Sequence, residues 1–382
     1  MPFNIRIISL SAIFYAISLQ TLFPNFPIMA LVTLLPILFL VTNFKTYKIE
    51  FLFISIVLLL PFVIHFKIGE HLNILKDISV FGLLTVGVLQ SRLFKHNAKT
   101  LSFTLILTGC IGFLAFGYFW LKHGIYYIYS GHEIELSGVS SFRVAQYLNE
   151  PSIIFTGMYL SLTALDSYHN PIKRILLMAT GLTIAWTWFL VSLRLQFILF
   201  LVLIFLYLVL VIKPSRKKLL ISFSFLIFMT GLIFLFSKTA QDHLLQFINK
   251  FTSIGSLQKT KELKSIISQV NGIDIIVGKG LGATYYNPIY KGERTLTHTI
   301  ISFLYLKTGL LGITGFFVLI YHNLKSSFEL HVFQGERLKI FLSCCIPIIN
   351  ALFFQPTYSY YSFFIVLGLF LSTFYKNEEE IL

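Results

Sequence analysis

The sequence predicts an all-α integral membrane protein of about twelve transmembrane helices with a large extracytoplasmic loop. Three observations predict this. Of 382 residues, 56% are hydrophobic and only 12% are charged, whereas a soluble domain carries about 25% charge. So few charges cannot cover a water-facing surface. The apolar residues also fall in runs of about 17–23, the length a helix needs to cross about 30 Å of hydrocarbon. Finally, the basic residues concentrate in alternate connections between those runs, as the positive-inside rule requires. The runs must be helices, because a lone strand in lipid leaves its backbone polar groups unpaired.

In chain order the spans are 5–23, 26–43, 50–66, 72–90, 100–120, 148–167, 172–190, 194–212, 218–237, 299–322, 338–355 and 357–375. The first has Arg6 at its start and runs to Phe23, where it meets Pro24-Asn25-Phe26-Pro27. It lacks a small-x-small cleavage site, so it reads as a retained helix and not a leader. Lys67, Glu70, His71, Lys76 and Asp77 crowd the junction of the third and fourth spans.

A cytoplasmic N-terminus places Lys45/Lys48, Arg92/Lys95/Lys99, Lys173/Arg174, Lys213/Arg216/Lys217/Lys218, Lys325/Arg337/Lys339 and Lys376 inside. The opposite short connections hold few basic residues, chiefly Lys67, Lys76, Lys122, Arg143 and Arg194. Both termini are then cytoplasmic; the acidic tail Glu378-Glu379-Glu380 counts little.

The chain divides into N-terminal helices (1–120), a first outer loop (121–147), four helices (148–237), the large outer loop (238–297), and three last helices with a cytoplasmic tail (298–382). In the large loop, Asp242 to Val270 has apolar residues three to four apart, among them Leu263, Ile266, Ile267 and Val270. That spacing reads as one or two amphipathic helices on the membrane surface. The Gly278-Lys279-Gly280-Leu281-Gly282 segment reads as a tight turn returning the loop to the membrane. It lacks the Gly-x4-Gly-Lys spacing of a nucleotide loop.

Net charge is +14, but the basic residues are scattered between apolar runs. Anionic lipid or an anionic lipid-linked substrate accounts for them; nucleic acid does not. Cys110, Cys344 and Cys345 lie inside apolar runs, match no metal spacing and frame no disulfide.

Candidate chemistry gathers on the outer side. Arg194 stands between two apolar runs in Ser192-Leu193-Arg194-Leu195. It either snorkels to lipid phosphate or holds an anion in a cavity. Arg143 precedes Asn149-Glu150-Pro151-Ser152, and a guanidinium fork suits a phosphate better than an ammonium does. Glu150 reads either as an ordinary helix start or as a second base candidate. His298, at the end of the large loop, is either an interfacial polar residue or a general base. Downstream, Gly309, Gly312 and Gly315 form a face for close helix packing.

The order of these motifs, namely Ser192–Arg194, the large outer loop, the Gly-Lys-Gly-Leu-Gly turn and His298 followed by Gly309, resembles the O-antigen polymerase and ligase superfamily. The stretch from Arg143 to Ser152 resembles the polymerase branch, often called Wzy-type. The resemblance covers most of the chain in layout and about forty residues in motif. This sequence departs from it in lacking Gly after Arg194 and Asn after His298. The resemblance implies a fold similar to GT-C integral-membrane glycosyltransferases, in the bacterial inner membrane with the site on the periplasmic face. It implies metal- and cofactor-independent transfer of a glycan from undecaprenyl diphosphate to a second lipid-linked unit. In that reading Arg143 and Arg194, with Lys279 and Arg294 as further contacts, bind the diphosphate, and His298 or Glu150 takes the acceptor proton. A flippase and a chain-length regulator are the implied protein partners. The alternatives are a ligase that moves polymer to lipid A core and, in another class, a transporter of the lipid-linked unit.

Overall fold

The computed structural model describes residues 3–20, 71–123, 135–136, 139–140, 148–166, 170–190, 194–212, 255–288, 291–325 and 335–375. The spans read at 26–43, 50–66 and 218–237 lie outside them, as do Arg143 and the 242–254 part of the amphipathic segment. The described chain is mostly helical. In order the elements are α1 (Phe3–Gln20), α2 (His71–Leu89), α3 (Ser91–His96), α4 (Ala98–His123), β1 (Glu135–Leu136), β2 (Val139–Ser140), α5 (Pro151–Asp166), α6 (Pro171–Leu190) and α7 (Arg194–Tyr207). A π-turn at Leu208–Ile212 extends α7. Then follow α8 (Gly255–Gln269), α9 (Asp274–Val277), β3 (Tyr285–Asn287), β4 (Gly292–Arg294), α10 (Ile300–Lys325), α11 (Gly335–Phe353), a 3-10 turn (Thr357–Ser359) and α12 (Phe363–Ser372).

Two helices are long and apolar enough to cross a membrane among the described residues, Ala98–Tyr118 and Ile300–His322. At 1.5 Å per residue the second reaches about 34 Å. The helical content agrees with an all-α protein, with one correction. The segments 121–147 and 238–297 each contain a short antiparallel pair, β1 with β2 and β3 with β4. The last span is also shorter than its apolar run implied, because the 3-10 turn and Tyr360 delay α12 to Phe363.

The chain forms two compact units, Gly157–Gln258 and the remainder. In the larger unit α12 is the centre and almost wholly buried. It packs on α2, α3 and α11. Small residues permit the approach. A Cβ on Gly87 would lie 2.7 Å from the Phe364 carbonyl oxygen, and one on Gly368 would strike the Phe94 ring at 2.4 Å. Such small residues let the helix backbones approach closely. Polar ties fix the register. Ser91 Oγ and Tyr375 Oη are 2.8 Å apart, Arg337 Nε donates to the Thr373 carbonyl at 2.6 Å, and Thr104 Oγ1 donates to Ser9 Oγ at 2.9 Å between α4 and α1.

In the smaller unit, Gly157 and Gly181 let α5 and α6 close on each other, with Gly157 lying against Ile184 and Trp188. Trp188 packs edge-on to Phe200 of α7 at 5.9 Å. Tyr207 Oη donates to Asp166 at 2.6 Å and ties the far ends of α5 and α7.

Helix α10 is broken. Gly309 adopts φ 60°, ψ −156° within it, a conformation open essentially to glycine. A break orphans carbonyls of the preceding turn, and a buried orphan is costly. The glycine turn supplies the missing donors. The Lys279 N–H bonds the Leu306 carbonyl at 2.8 Å and the Gly280 N–H bonds the Lys307 carbonyl at 3.2 Å. The fit is reciprocal: a Cβ on Gly309 would lie 2.4 Å from the Ile276 oxygen, and one on Gly278 2.3 Å from the Thr308 nitrogen. The turn is therefore spliced into α10, and the glycine at 309 serves this break.

Candidate active site

The site grows from α8. Glu262, Ile266 and Val270 recur every four residues and share one face of that helix, which is turned inward. Ile266 and Val270 pack with Tyr285 of β3 and Leu306 of α10, with Tyr305 against them. That core carries Glu262 into the structure, where it is 3% exposed. A buried carboxylate must be paired, and this one is. Its Oε1 accepts Tyr285 Oη at 2.6 Å and the His298 N–H at 3.1 Å. Its Oε2 meets His298 Nδ1 directly. Asn287 Nδ2 in turn donates to Tyr285 Oη at 3.0 Å.

Electrostatics follow from these contacts. Burial alone raises the Glu262 carboxyl, but the hydrogen bond and charge of His298, helped by Tyr285, outweigh it and hold it below the ordinary value. The carboxyl is then ionised and can only accept. Nδ1 of His298 must therefore carry the proton of that contact, which leaves Nε2 with its lone pair when the ring is neutral. The histidine side chain is 24% exposed, against 4% for Glu262, so the dyad is anchored within and reaches the surface at the imidazole. Tyr285 is pushed up by its burial and by Glu262, and remains a donor.

Beneath the dyad the 3-10 turn closes the site. Tyr358 Oη donates to the Thr297 carbonyl at 2.8 Å, directly before His298. The Tyr358 ring lies 5.2 Å from that of Phe303, and Phe303 lies 5.1 Å from Phe81 of α2. Beside this aromatic layer is a buried ion pair. Lys307 Nζ and Asp77 Oδ2 are 2.6 Å apart, both side chains fully buried. Lys307 also donates to the Ala283 carbonyl at 2.6 Å, and Asp77 accepts the Gly282 N–H at 2.7 Å. This pair joins α2, α10 and the glycine turn.

The sequence-derived candidates fall in different places. His298 is in the site. Lys279 lies in the glycine turn, half-buried, with its N–H already bonded to α10. The N–H groups of Lys279 and Gly280 are thus engaged in holding the helix break. Arg294 is exposed on β4, opposite Tyr285 in the hairpin. Glu150 is buried at the start of α5, where its Oε2 accepts the Ser152 N–H at 2.8 Å and the Ile153 N–H at 3.3 Å. Its other oxygen takes the Ser362 hydroxyl. It caps one helix and ties it to the start of another, the arrangement of a helix start. Arg194 is the first residue of α7, in the smaller unit, and Arg143 lies outside the described residues.

Glu262, Tyr285, Asn287, Tyr358, Asp77 and Lys307 were not singled out from sequence. Glu262 had a signal, since a lone acid stood on the 262/266/270 stripe. Asp77 and Lys307 had one too, as charges of opposite sign within two apolar spans.

No cluster of three or more metal-binding side chains occurs among the described residues. Comparison with protein-family models, with curated proteins and with solved structures finds no match for this chain.

Proposed function

We propose that the protein is a multi-pass inner-membrane glycosyltransferase of the polymerase type. It joins oligosaccharide repeat units carried on undecaprenyl diphosphate, at the outer face of the membrane, and crosses the bilayer about twelve times. The observation that carries the reading is the Glu262–His298 dyad at the start of α10, an apolar helix long enough to span. A histidine whose Nδ1 is fixed by an ionised carboxylate is set up to take a proton at Nε2 as a general base.

The chemistry balances. The acceptor hydroxyl oxygen attacks the anomeric carbon of the donor glycan as its proton passes to His298 Nε2. The bond from that carbon to the diphosphate oxygen breaks, and undecaprenyl diphosphate leaves. The leaving group is already good, so charge stabilisation matters more than protonation. Arg143 and Arg194 are assigned to the diphosphate, with Lys279 and Arg294 as outer contacts. Glu150 is assigned to holding the start of α5 against α12.

Contacts between distant segments support the proposed grouping of helix ends. Thr297 meets Tyr358, Glu150 meets Ser362, and Asp77 meets both Gly282 and Lys307. Each pairs segments assigned to the outer side. Ser91 with Tyr375, and Arg337 with Thr373, pair segments assigned to the cytoplasmic side.

The test is genetic. His298→Ala, Arg143→Ala and Arg194→Ala are each expected to abolish long-chain surface glycan while membrane protein levels stay normal. Long chains retained in all three would overturn the mechanism. Gene deletion should leave single repeat units on the surface; complete loss of surface glycan would instead favour a ligase or a transporter.

A further inference from the structure

The segment linking α8 to the hairpin belongs to the proposed extracytoplasmic loop, yet it is docked well along α10. Gly309 lies nine residues beyond Ile300, about 13 Å along a helix axis. The Ile276 carbonyl and the Gly278 nitrogen both abut that glycine. Three isoleucines next to this contact face outward, Ile273 at 60%, Ile275 at 39% and Ile276 at 57% exposure. Leu310, the residue after the break, is 47% exposed, and Phe317, Val318 and Tyr321 continue the apolar surface down α10. An apolar tip in water beside a lipid-facing helix would leave a patch that soluble surfaces avoid.

The N–H groups of this tip are also paired. Every N–H from Asp274 to Gly280 donates: Asp274 to Asn271, Ile275 to Gly272, Ile276 and Val277 to Ile273, Gly278 to Asp274, Lys279 to Leu306 and Gly280 to Lys307. Gly282 follows, donating to Asp77. Irregular backbone is tolerated at membrane depth only when its polar groups are met within the protein, and the N–H groups from Asp274 to Gly280 are met there. The glycines that meet α10 are buried and the isoleucines are exposed, so polar backbone faces protein while apolar side chains face out. Asp274 is the one acid of the tip, half-buried in the first turn of α9. Above the tip, Lys261 and Lys264 are exposed on α8 beside Leu263 and Ile267, the composition of an interfacial helix on anionic lipid.

We propose that Gly272–Gly282 is a re-entrant segment whose isoleucines insert into the outer-leaflet hydrocarbon beside Gly309 and Leu310. Lipid is the occupant of this apolar face. The proposal rests on the reading of α10 as a membrane span. It makes the site a membrane-embedded one, with the glycine turn as its lipid-side wall.

The test uses the full-length protein in vesicles of phosphatidylethanolamine and phosphatidylglycerol. Nitroxide labels are placed at Ile273→Cys, Ile276→Cys, Val318→Cys and Lys264→Cys in a chain with Cys110, Cys344 and Cys345 replaced by alanine. Collision rates with oxygen, which enters lipid, and with a water-soluble nickel chelate report depth. The expected result is that Ile273 and Ile276 match Val318, with high oxygen and low nickel collision, while Lys264 favours nickel. Aqueous accessibility at Ile273 and Ile276 with a lipid-like Val318 would overturn the insertion alone. An aqueous Val318 would overturn the membrane reading beneath it. Exclusion of both reagents at the isoleucines would show a protein partner on the face and also overturn the proposal. A second measurement needs no cysteine change: Ile276→Trp should gain fluorescence that acyl-chain-brominated lipid quenches, relative to the parent protein. Unquenched added emission would contradict insertion.

Discussion

In the proposed reaction Glu262 and His298 divide the labour of a base between them: the carboxylate fixes the tautomer and the part-exposed imidazole takes the proton. Glu262→Gln keeps the size and one acceptor but removes the charge that stabilises imidazolium. The expected outcome is a fall in turnover of about 10–100-fold with little change in KM, against a general-base contribution of about 100–10,000-fold lost in His298→Ala. Steady-state rates of the two variants check it. Stability has its own pH signature. A carboxyl held below its ordinary value stabilises the fold above about pH 4.5, and that contribution is lost as pH falls through the lower folded value. Acid melting curves should show this loss in the parent and a flatter profile in Glu262→Gln. The sequence offered part of this pair. His298 was legible as a polar residue at a helix start, whereas its partner lies 36 residues upstream. Only the fold of α8 against the hairpin and α10 brings Glu262 to it.

The elements were legible where a long apolar run made one helix, as at α2, α4 and α6. They were less so where local chemistry interrupts the run. Gly309 read as a packing glycine because its spacing with Gly312 and Gly315 is helical. Its positive φ depends on a turn about thirty residues away in sequence, which no local pattern reports. Gly309→Ala is expected to cost at least about 1–3 kcal/mol through backbone strain, before the contact with the Ile276 oxygen is counted. Thermal unfolding in detergent measures it. The Asp77–Lys307 pair gives a sharper test. Removing one partner of a buried pair costs about 3–5 kcal/mol, because the other charge is left uncompensated. Lys307→Met should therefore destabilise strongly, and Lys307→Met with Asp77→Leu should recover much of the loss. Additive damage in the double variant would show that the pair is not coupled.

At the scale of the whole molecule, composition was enough to read a mostly helical chain with helices long and apolar enough to span, because it turns on counting charges and apolar runs. How the spans assemble was not legible. Glu150 and Ser362 lie 212 residues apart, and Ser91 and Tyr375 lie 284 apart; those pairings exist only once helices pack. Each joins segments that the reading from basic residues groups at one end. That sidedness predicts that His96→Cys, exposed at the end of α3, is labelled by an impermeant maleimide only when the membrane is opened. Lys291→Cys in the hairpin should be labelled from the periplasmic side in spheroplasts. Reversed labelling would separate the dyad from an outer-face substrate.

The most direct test of the central claim is turnover by the purified full-length protein in lipid vesicles supplied with undecaprenyl-diphosphate-linked repeat units and a metal chelator. The account predicts glycans of several repeat lengths and release of undecaprenyl diphosphate in proportion to each linkage formed, both abolished by His298→Ala. Lipid-linked units that stay single under these conditions, or a ladder that His298→Ala leaves intact, would contradict it.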